Sequence, residues 1–177
     1  MNTQPTLETE RLILRPFTLD DASDVQAMAG DRKVADMTFN IPHPYLLEVA
    51  EQWIATHEAG YRAGDATFAI TLRETGRLIG AVGLRKDEEP DVAELGYWIG
   101  VPFWGNGYCT EAAGAVVSFG FTSLGYTKLF ATHLVGNPAS GRVMQKIGMH
   151  RTGELTRFAE KFDREVELIR YEMSSGC

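Results

Sequence analysis

Cysteine is scarce: the chain has two in 177 residues, Cys109 and Cys177. Two thiols support neither a disulfide framework nor a cysteine-rich zinc cluster. The expected setting is the cytoplasm. Long apolar runs are missing as well. A membrane helix needs about 20 consecutive apolar residues. The longest candidate here, Ala112 to Phe121, is broken by Gly114, Ser118 and Gly120. The stretch from Met1 to Glu8 has neither the basic start nor the apolar centre of a secretory signal. Positive charge is in deficit too: 17 Lys and Arg face 24 Asp and Glu, for a net charge of −7. Nucleic acid and anionic membranes both call for a positive field, so neither is an expected partner. A cationic acceptor such as an amine is compatible with that charge. Histidine is sparse, and His43 and His57 lack companions at metal-ligand spacing, so no metal is expected.

What is present is an ordinary globular balance, with 44% hydrophobic and 23% charged residues. The length suits one domain spanning residues 1–177. The spacing predicts a first strand at 11–15. A helix follows, with Thr18 as its cap and Asp20 and Asp21 in its first turn, ending at Gly30. Residues 40–44 read as a loop. Leu46, Val49, Ala50, Trp53, Ile54, His57 and Tyr61 give 45–62 a helical period. Strands are expected at 67–72 and 78–84, joined by a turn at Gly76, and at 92–101. A helix at 110–124, a strand at 129–135 and a helix at 139–147 come next. The last of these stops at Gly148, and a strand pair at 149–159 and 164–173 closes the chain. The strand-helix-strand passage over 92–135 implies a parallel pair, while the hairpins imply antiparallel ones. The fold class is therefore α/β of the α+β type: a mixed, mostly antiparallel sheet flanked by helices.

The most informative stretch runs from Glu94 to Ala112, ELGYWIGVPFWGNGYCTEA. A strand enters a glycine-bearing loop, and the loop opens a helix. The first turn of a helix has backbone N–H groups without intrahelical partners and a positive dipole end. Glycines let a ligand come close, and the combination suits phosphate or pyrophosphate. Two nucleotide readings fail. There is no Gly-Lys-Ser/Thr ending, and Thr110 stands where a dinucleotide fingerprint needs its third glycine. The acidic residue expected about 20 positions later is also missing, since the chain there reads Tyr126-Thr127-Lys128-Leu129.

Three segments carry a family resemblance. Leu7 to Pro16 (LETERLILRP), Glu94 to Ala112, and Asn137 to Met149 (NPASGRVMQKIGM) resemble, in matching order, the ribosomal-protein-alanine N-acetyltransferase branch of the GNAT superfamily. The resemblance implies a sheet whose fourth and fifth strands splay apart, with acetyl-CoA wedged between them. It implies that backbone groups of Trp98, Ile99, Gly100 and Val101 pair with the pantetheine arm. The amides of Gly105, Asn106, Gly107, Tyr108, Cys109 and Thr110 would hold the pyrophosphate. Asn137 would bond the pantetheine arm, and Ser140 would lie near the thioester sulfur. From their spacing rather than the resemblance, Arg142 and Lys146, one turn apart on the same helix, are placed to reach the 3′-phosphate, with solvated surface charges as the alternative. The chain departs from the family's Gln/Arg-x-x-Gly-x-Gly/Ala loop at both ends, with Trp104 and Cys109. Many members have a tyrosine acid seven residues after the Asn. Here Met144 stands there and cannot donate a proton.

Acetyl transfer needs an acceptor for the amine proton and a proton for the leaving thiolate. Strand alternation puts Glu94, Gly96, Trp98 and Gly100 on one face, where the two glycines leave room for a ligand. Glu94, beside Trp98 and away from water, is the expected base, and Ser140 the expected acid. Cys109 with His133 is the alternative nucleophilic pair; close packing for the first and a core position for the second argue against it. Residues 37–45 and the helix around Trp53, His57 and Tyr61 would line the acceptor side by analogy. The expected activity is transfer from acetyl-CoA to a primary amine, at a protein N-terminus or on a small molecule, by direct attack in a ternary complex. The rival is an acyl-CoA-binding regulatory module without turnover. Either a monomer or a homodimer is compatible.

Overall fold

The computed structural model describes residues 3–176. In chain order its elements are β1 (Leu7–Glu8), β2 (Leu12–Pro16), α1 (Ala22–Ala29), α2 (Arg32–Asp36), α3 (Leu47–Ala55) and α4 (His57–Ala63). Three strands follow, β3 (Ala66–Leu72), β4 (Leu78–Lys86) and β5 (Val92–Ile99). Then come α5 (Tyr108–Thr122), β6 (Lys128–Leu134), α6 (Pro138–Lys146), β7 (His150–Ala159) and β8 (Arg164–Ser174). The eight strands form one sheet in the order β1-β2-β3-β4-β5-β6-β8-β7.

One pair in this sheet is parallel. β5 and β6 are in register only at Val92 with Lys128, Ala93 with Leu129 and Glu94 with Phe130. Past Glu94 the two strands part, while β4 stays paired to β5 as far as Ile99 and β8 to β6 as far as Leu134. A wedge-shaped gap therefore opens in mid-sheet, and one edge of β5 has no strand against it.

Helices cover both faces. On one face α5 and α6 bury Ala112, Ala113, Val116 and Met144 against Leu12, Phe68, Leu84 and Leu95. α5 lies close to the sheet because Gly120 has no side chain; a Cβ there would come within 2.5 Å of Leu84 Cδ1. On the other face α1 and α3 pack Val25, Ala50 and Ile54 on Ala69 and Leu78, with Trp98 at the margin. β5 alternates between these layers: Leu95, Tyr97 and Ile99 join the first and Trp98 the second. Glu94 and Gly96 share the parity of Trp98.

Most predicted elements are found, and the differences have physical reasons. The helix expected over 45–62 is two helices, broken at Thr56, whose hydroxyl turns back to the Trp53 carbonyl at 2.7 Å. Before it stands an unexpected short helix, α2, capped by Asp31 Oδ1, which accepts from Lys33 N at 2.8 Å. The helix predicted from Thr18 begins as a 3-10 turn at Leu19–Asp21. The buried Asp21 carboxylate takes the Thr18 amide at 2.8 Å and pairs with Arg15 at 2.7 Å. The strand expected to reach residue 101 stops at Ile99, and Val101–Phe103 form a 3-10 turn. Gly76 and Gly148 do supply positive φ, at 69° and 92°, at the predicted turn and helix stop. No helix among the described residues is long and apolar enough to cross a membrane.

Candidate active site

The loop between β5 and α5 is shaped by Gly105 and Gly107, at φ 77° and 78°. Gly107 is the N-cap of α5 and contributes no side-chain cap. The amides of Tyr108, Cys109 and Thr110 are thus presented at a positive helix end. A Cβ built at Gly105 or at Gly96 would meet nothing within 4 Å, so the surface above both is open. Uncapped amides and open glycines at the mouth of a strand gap fit a pyrophosphate with an extended arm.

The loop is braced from far away in the chain. Arg11 donates through Nη1 to the Asn106 carbonyl at 2.9 Å and through Nε to Glu111 Oε2 at 2.7 Å, and its guanidinium stacks over the Tyr108 ring at 4.6 Å. Glu111 also accepts from Thr9 Oγ1 at 2.6 Å and from the Arg11 amide at 2.8 Å. Burial opposes the Glu111 charge, but these bonds outweigh it and hold the carboxyl below its ordinary value. Trp104 folds back so that its indole N–H donates to the Ile99 carbonyl at 2.6 Å. That bond takes one of the two lone pairs of the Ile99 carbonyl and leaves the other for the arm. Gly100 donates to the Ile79 carbonyl at 2.9 Å, and Val101 lies in the 3-10 turn. Val92 and Gly100 bond Asp87 and Ile79 on the β4 side, so the backbone of Trp98, which shares their parity, faces β4 opposite Ala81, and Ile99 is the expected residue whose backbone faces the gap.

Across the gap, Asn137 caps α6. Its side-chain oxygen accepts from Ser140 N at 3.3 Å, and its Nδ2 donates to the Met37 carbonyl at 3.0 Å. Ser140, in the first turn of α6, faces Tyr97 of β5. Tyr97 Oη lies 3.0 Å from both the Ser140 carbonyl and the Ser140 hydroxyl. Burial pushes the Tyr97 phenol well above its ordinary value. Arg142 projects from α6 as an exposed residue.

Glu94 sits where β5 and β6 part. Its carboxylate pairs with Arg85 on β4, its register partner, and accepts from Thr132 Oγ1 of β6 at 3.4 Å. It is not beside Trp98 in an apolar setting, as expected, because the neighbouring strands bring an arginine and a threonine to it. Gly100 likewise leaves no room: a Cβ there would meet Met28 Sδ at 2.9 Å. Gly96 does.

The cysteine alternative fails on chemistry. Burial pushes the Cys109 thiol up to about 12, so it stays protonated and non-nucleophilic at neutral pH. His133 is buried with Nδ1 on the Leu134 carbonyl at 2.8 Å, while Nε2 points at Gly141 and has no partner. Since a carbonyl only accepts, Nδ1 carries the proton.

A cavity of about 540 Å³ opens next to Asn137, lined by Asp36, Met37, Gly136, Phe162, Arg164 and Glu165 among others. Lys161, between β7 and β8, ties the segment after α2 to this wall. Its ammonium donates to the carbonyls of Ala35, Thr38 and Ile41, the last at 3.0 Å. Burial lowers its pKa to about 8. His57 stands away from hydrogen-bond partners, with both ring nitrogens buried against Phe17 and Trp53. Tyr97, Arg11 and Lys161 were not foreseen as site residues. Tyr97 could have been found from alternation, as the opposite parity to Glu94; the other two have no local signal.

A sheet opened in this way beside a free helix end defines the class, an α/β acyltransferase. Residues 11–150 match the family model described as an acetyltransferase (GNAT) domain, and the chain belongs to that family. It is 33% identical over 156 residues to the uncharacterized N-acetyltransferase YoaA of Bacillus subtilis (strain 168), covering 87% of this chain and 88% of that one. Among solved structures it superposes with TM-score 0.85 on a GNAT-family acetyltransferase from Bacillus anthracis, at 23% identity over 96% of this chain and 98% of that one. The ribosomal-protein-S5-alanine acetyltransferase of Vibrio fischeri superposes with TM-score 0.83 at 16% identity, over 98% of both chains. The family uses acetyl-CoA as its donor.

Proposed function

We propose that residues 1–177 form one acetyl-CoA-dependent N-acetyltransferase, acting in the cytoplasm as a monomer or homodimer on a primary amine. The amine is a protein N-terminus or a small molecule, and attack is direct, within a ternary complex. The parting of β5 from β6 after Glu94, beside the uncapped start of α5, carries this reading.

Acetyl-CoA supplies an activated acetyl group. The amides from Gly105 to Thr110 bind its pyrophosphate, and Arg142 reaches its 3′-phosphate. The free edge of β5 at Ile99, within the stretch from Trp98 to Val101, and the cap residue Asn137 align the pantetheine arm. Glu94, at the apex of the gap, accepts the amine proton directly or through water. Ser140 donates to the leaving sulfur. Binding without turnover is the second reading, favoured by the pairing of Glu94 with Arg85, since a paired carboxylate is a weaker proton acceptor.

A thiol-release assay with acetyl-CoA separates the two readings, run across N-terminal peptides, polyamines and aminoglycosides with mass spectrometry of the products. Turnover with at least one acceptor and an acetylated amine product is expected. Thermal stabilisation by acetyl-CoA with no thiol release across the panel would leave the binding module.

A further inference from the structure

The bond between Tyr97 and Ser140 is the one side-chain link described across the gap between β5 and α6. The carbonyl of Ser140 can only accept, so the single proton of Tyr97 points into the Ser140 residue, toward that carbonyl or toward Oγ. When it is shared with Oγ, the serine's own hydroxyl proton is free to turn into the gap. A hydroxyl that accepts one hydrogen bond is a stronger donor in the next. The Tyr97 phenol keeps its proton throughout the working range, because burial disfavours the phenolate. Ser140 cannot easily leave this arrangement. Its amide is held by Asn137, and the turn is anchored to Met37 through Asn137 Nδ2.

We propose that Tyr97 is a positioning residue that donates to Ser140 Oγ, so that the serine hydroxyl in turn donates to the sulfur of coenzyme A and stabilises it as a thiolate. This rests on the reading of Ser140 as the group facing the sulfur. No proton need leave Tyr97. The bond polarises the Ser140 hydroxyl and fixes its rotamer. Met144, buried on α6, cannot donate a proton; here the phenol comes from the strand and acts through the serine.

Coenzyme A itself is the probe, so the acceptor amine need not be known. A free thiol titrates near about 8.5. If the pair stabilises the thiolate, the bound thiol titrates lower. Affinity then rises as pH increases from the bound to the free value, and is lost as pH falls through the bound one. Calorimetry between about pH 7 and 9 should show that rise for coenzyme A, of about 10-fold, and none for desulfo-coenzyme A, which lacks the thiol. Tyr97→Phe keeps the ring and should flatten the rise, as should Ser140→Ala, while Ser140→Thr keeps it. In turnover, Tyr97→Phe should lower kcat about 10-fold at unchanged KM, and the double variant should be no slower than Ser140→Ala alone.

A rise that persists in Tyr97→Phe but vanishes in Ser140→Ala would overturn the role of Tyr97 and leave Ser140 standing. A rise that persists in both variants would overturn Ser140 as well. A wild-type protein with no difference between coenzyme A and its desulfo analogue would refute the whole arrangement.

Discussion

Arg11 and Glu111, separated by 100 positions in the chain, meet at 2.7 Å beneath the loop that opens α5. Arg11 reaches on to the Asn106 carbonyl at 2.9 Å, so the turn between β1 and β2 holds the loop from outside. This loop owes its shape to two glycines with positive φ, which resist little deformation on their own. Arg11→Ala should therefore loosen the pyrophosphate cradle without touching the groups that move protons. KM for acetyl-CoA should rise about 10-fold with kcat within about 2-fold of wild type. Steady-state kinetics with saturating acceptor measures both.

Glu94 and Arg85 face each other across β4 and β5. If Glu94 takes the amine proton, Glu94→Gln keeps the shape and removes the acceptor. Its kcat should drop about 100-fold, the usual scale of general-base loss. Arg85→Gln should leave the carboxylate in place and keep most of the activity. Equal losses in both variants would make the ion pair, and not the base, the important feature.

Cys109 lies at a helix start, a setting that activates a thiol when it is also accessible. Here burial pushes the thiol up to about 12. Cys109→Ala should keep kcat within about 3-fold, and initial-rate lines for varied acetyl-CoA and amine should intersect. Parallel lines, the sign of an acetylated enzyme, would contradict the ternary complex.

What could be read from the chain was local. The period of 92–99 assigned the faces of β5 correctly because alternation is a backbone property. Gly76 and Gly148 marked their turn and stop because each needs a positive φ. The crossover from 92 to 135 required a parallel pair. What escaped depends on partners distant in sequence. The polar surroundings of Glu94 come from Arg85 and Thr132 on the two flanking strands. The bond that occupies one lone pair of the Ile99 carbonyl comes from the fold of the Trp104 indole. α2, at five residues, is too short to show a helical period.

Lys161 gathers three carbonyls, one from the last turn of α2 and two from the segment that follows it, beside the cavity lined by Met37 and Gly136. A methionine there would keep the aliphatic stem and lose all three donors. The segment should then close less well on the acceptor. Lys161→Met should raise KM for the amine about 10-fold while KM for acetyl-CoA stays the same. The reverse pattern would place this segment on the cofactor side.

His57 packs edge-on to Trp53 at 4.5 Å and tilted to Phe17 at 5.3 Å, with neither ring nitrogen partnered. Burial lowers its pKa from 6.5 to about 4. The folded protein therefore resists a proton that the unfolded chain accepts. Stability from this residue is complete above about pH 6.5. It is lost progressively as pH falls toward 4, because there the unfolded state binds more protons. The loss should be on the order of 2 kcal/mol, reduced from the full shift because the residue is not fully enclosed. His57→Phe keeps an aromatic ring among Phe17 and Trp53 and cannot take the proton. Chemical denaturation at pH 7 and pH 4.5 gives the test: the two proteins should differ in how much stability they lose between these points, with the variant losing less. Equal losses would mean that His57 accepts its proton without leaving its place between Phe17 and Trp53.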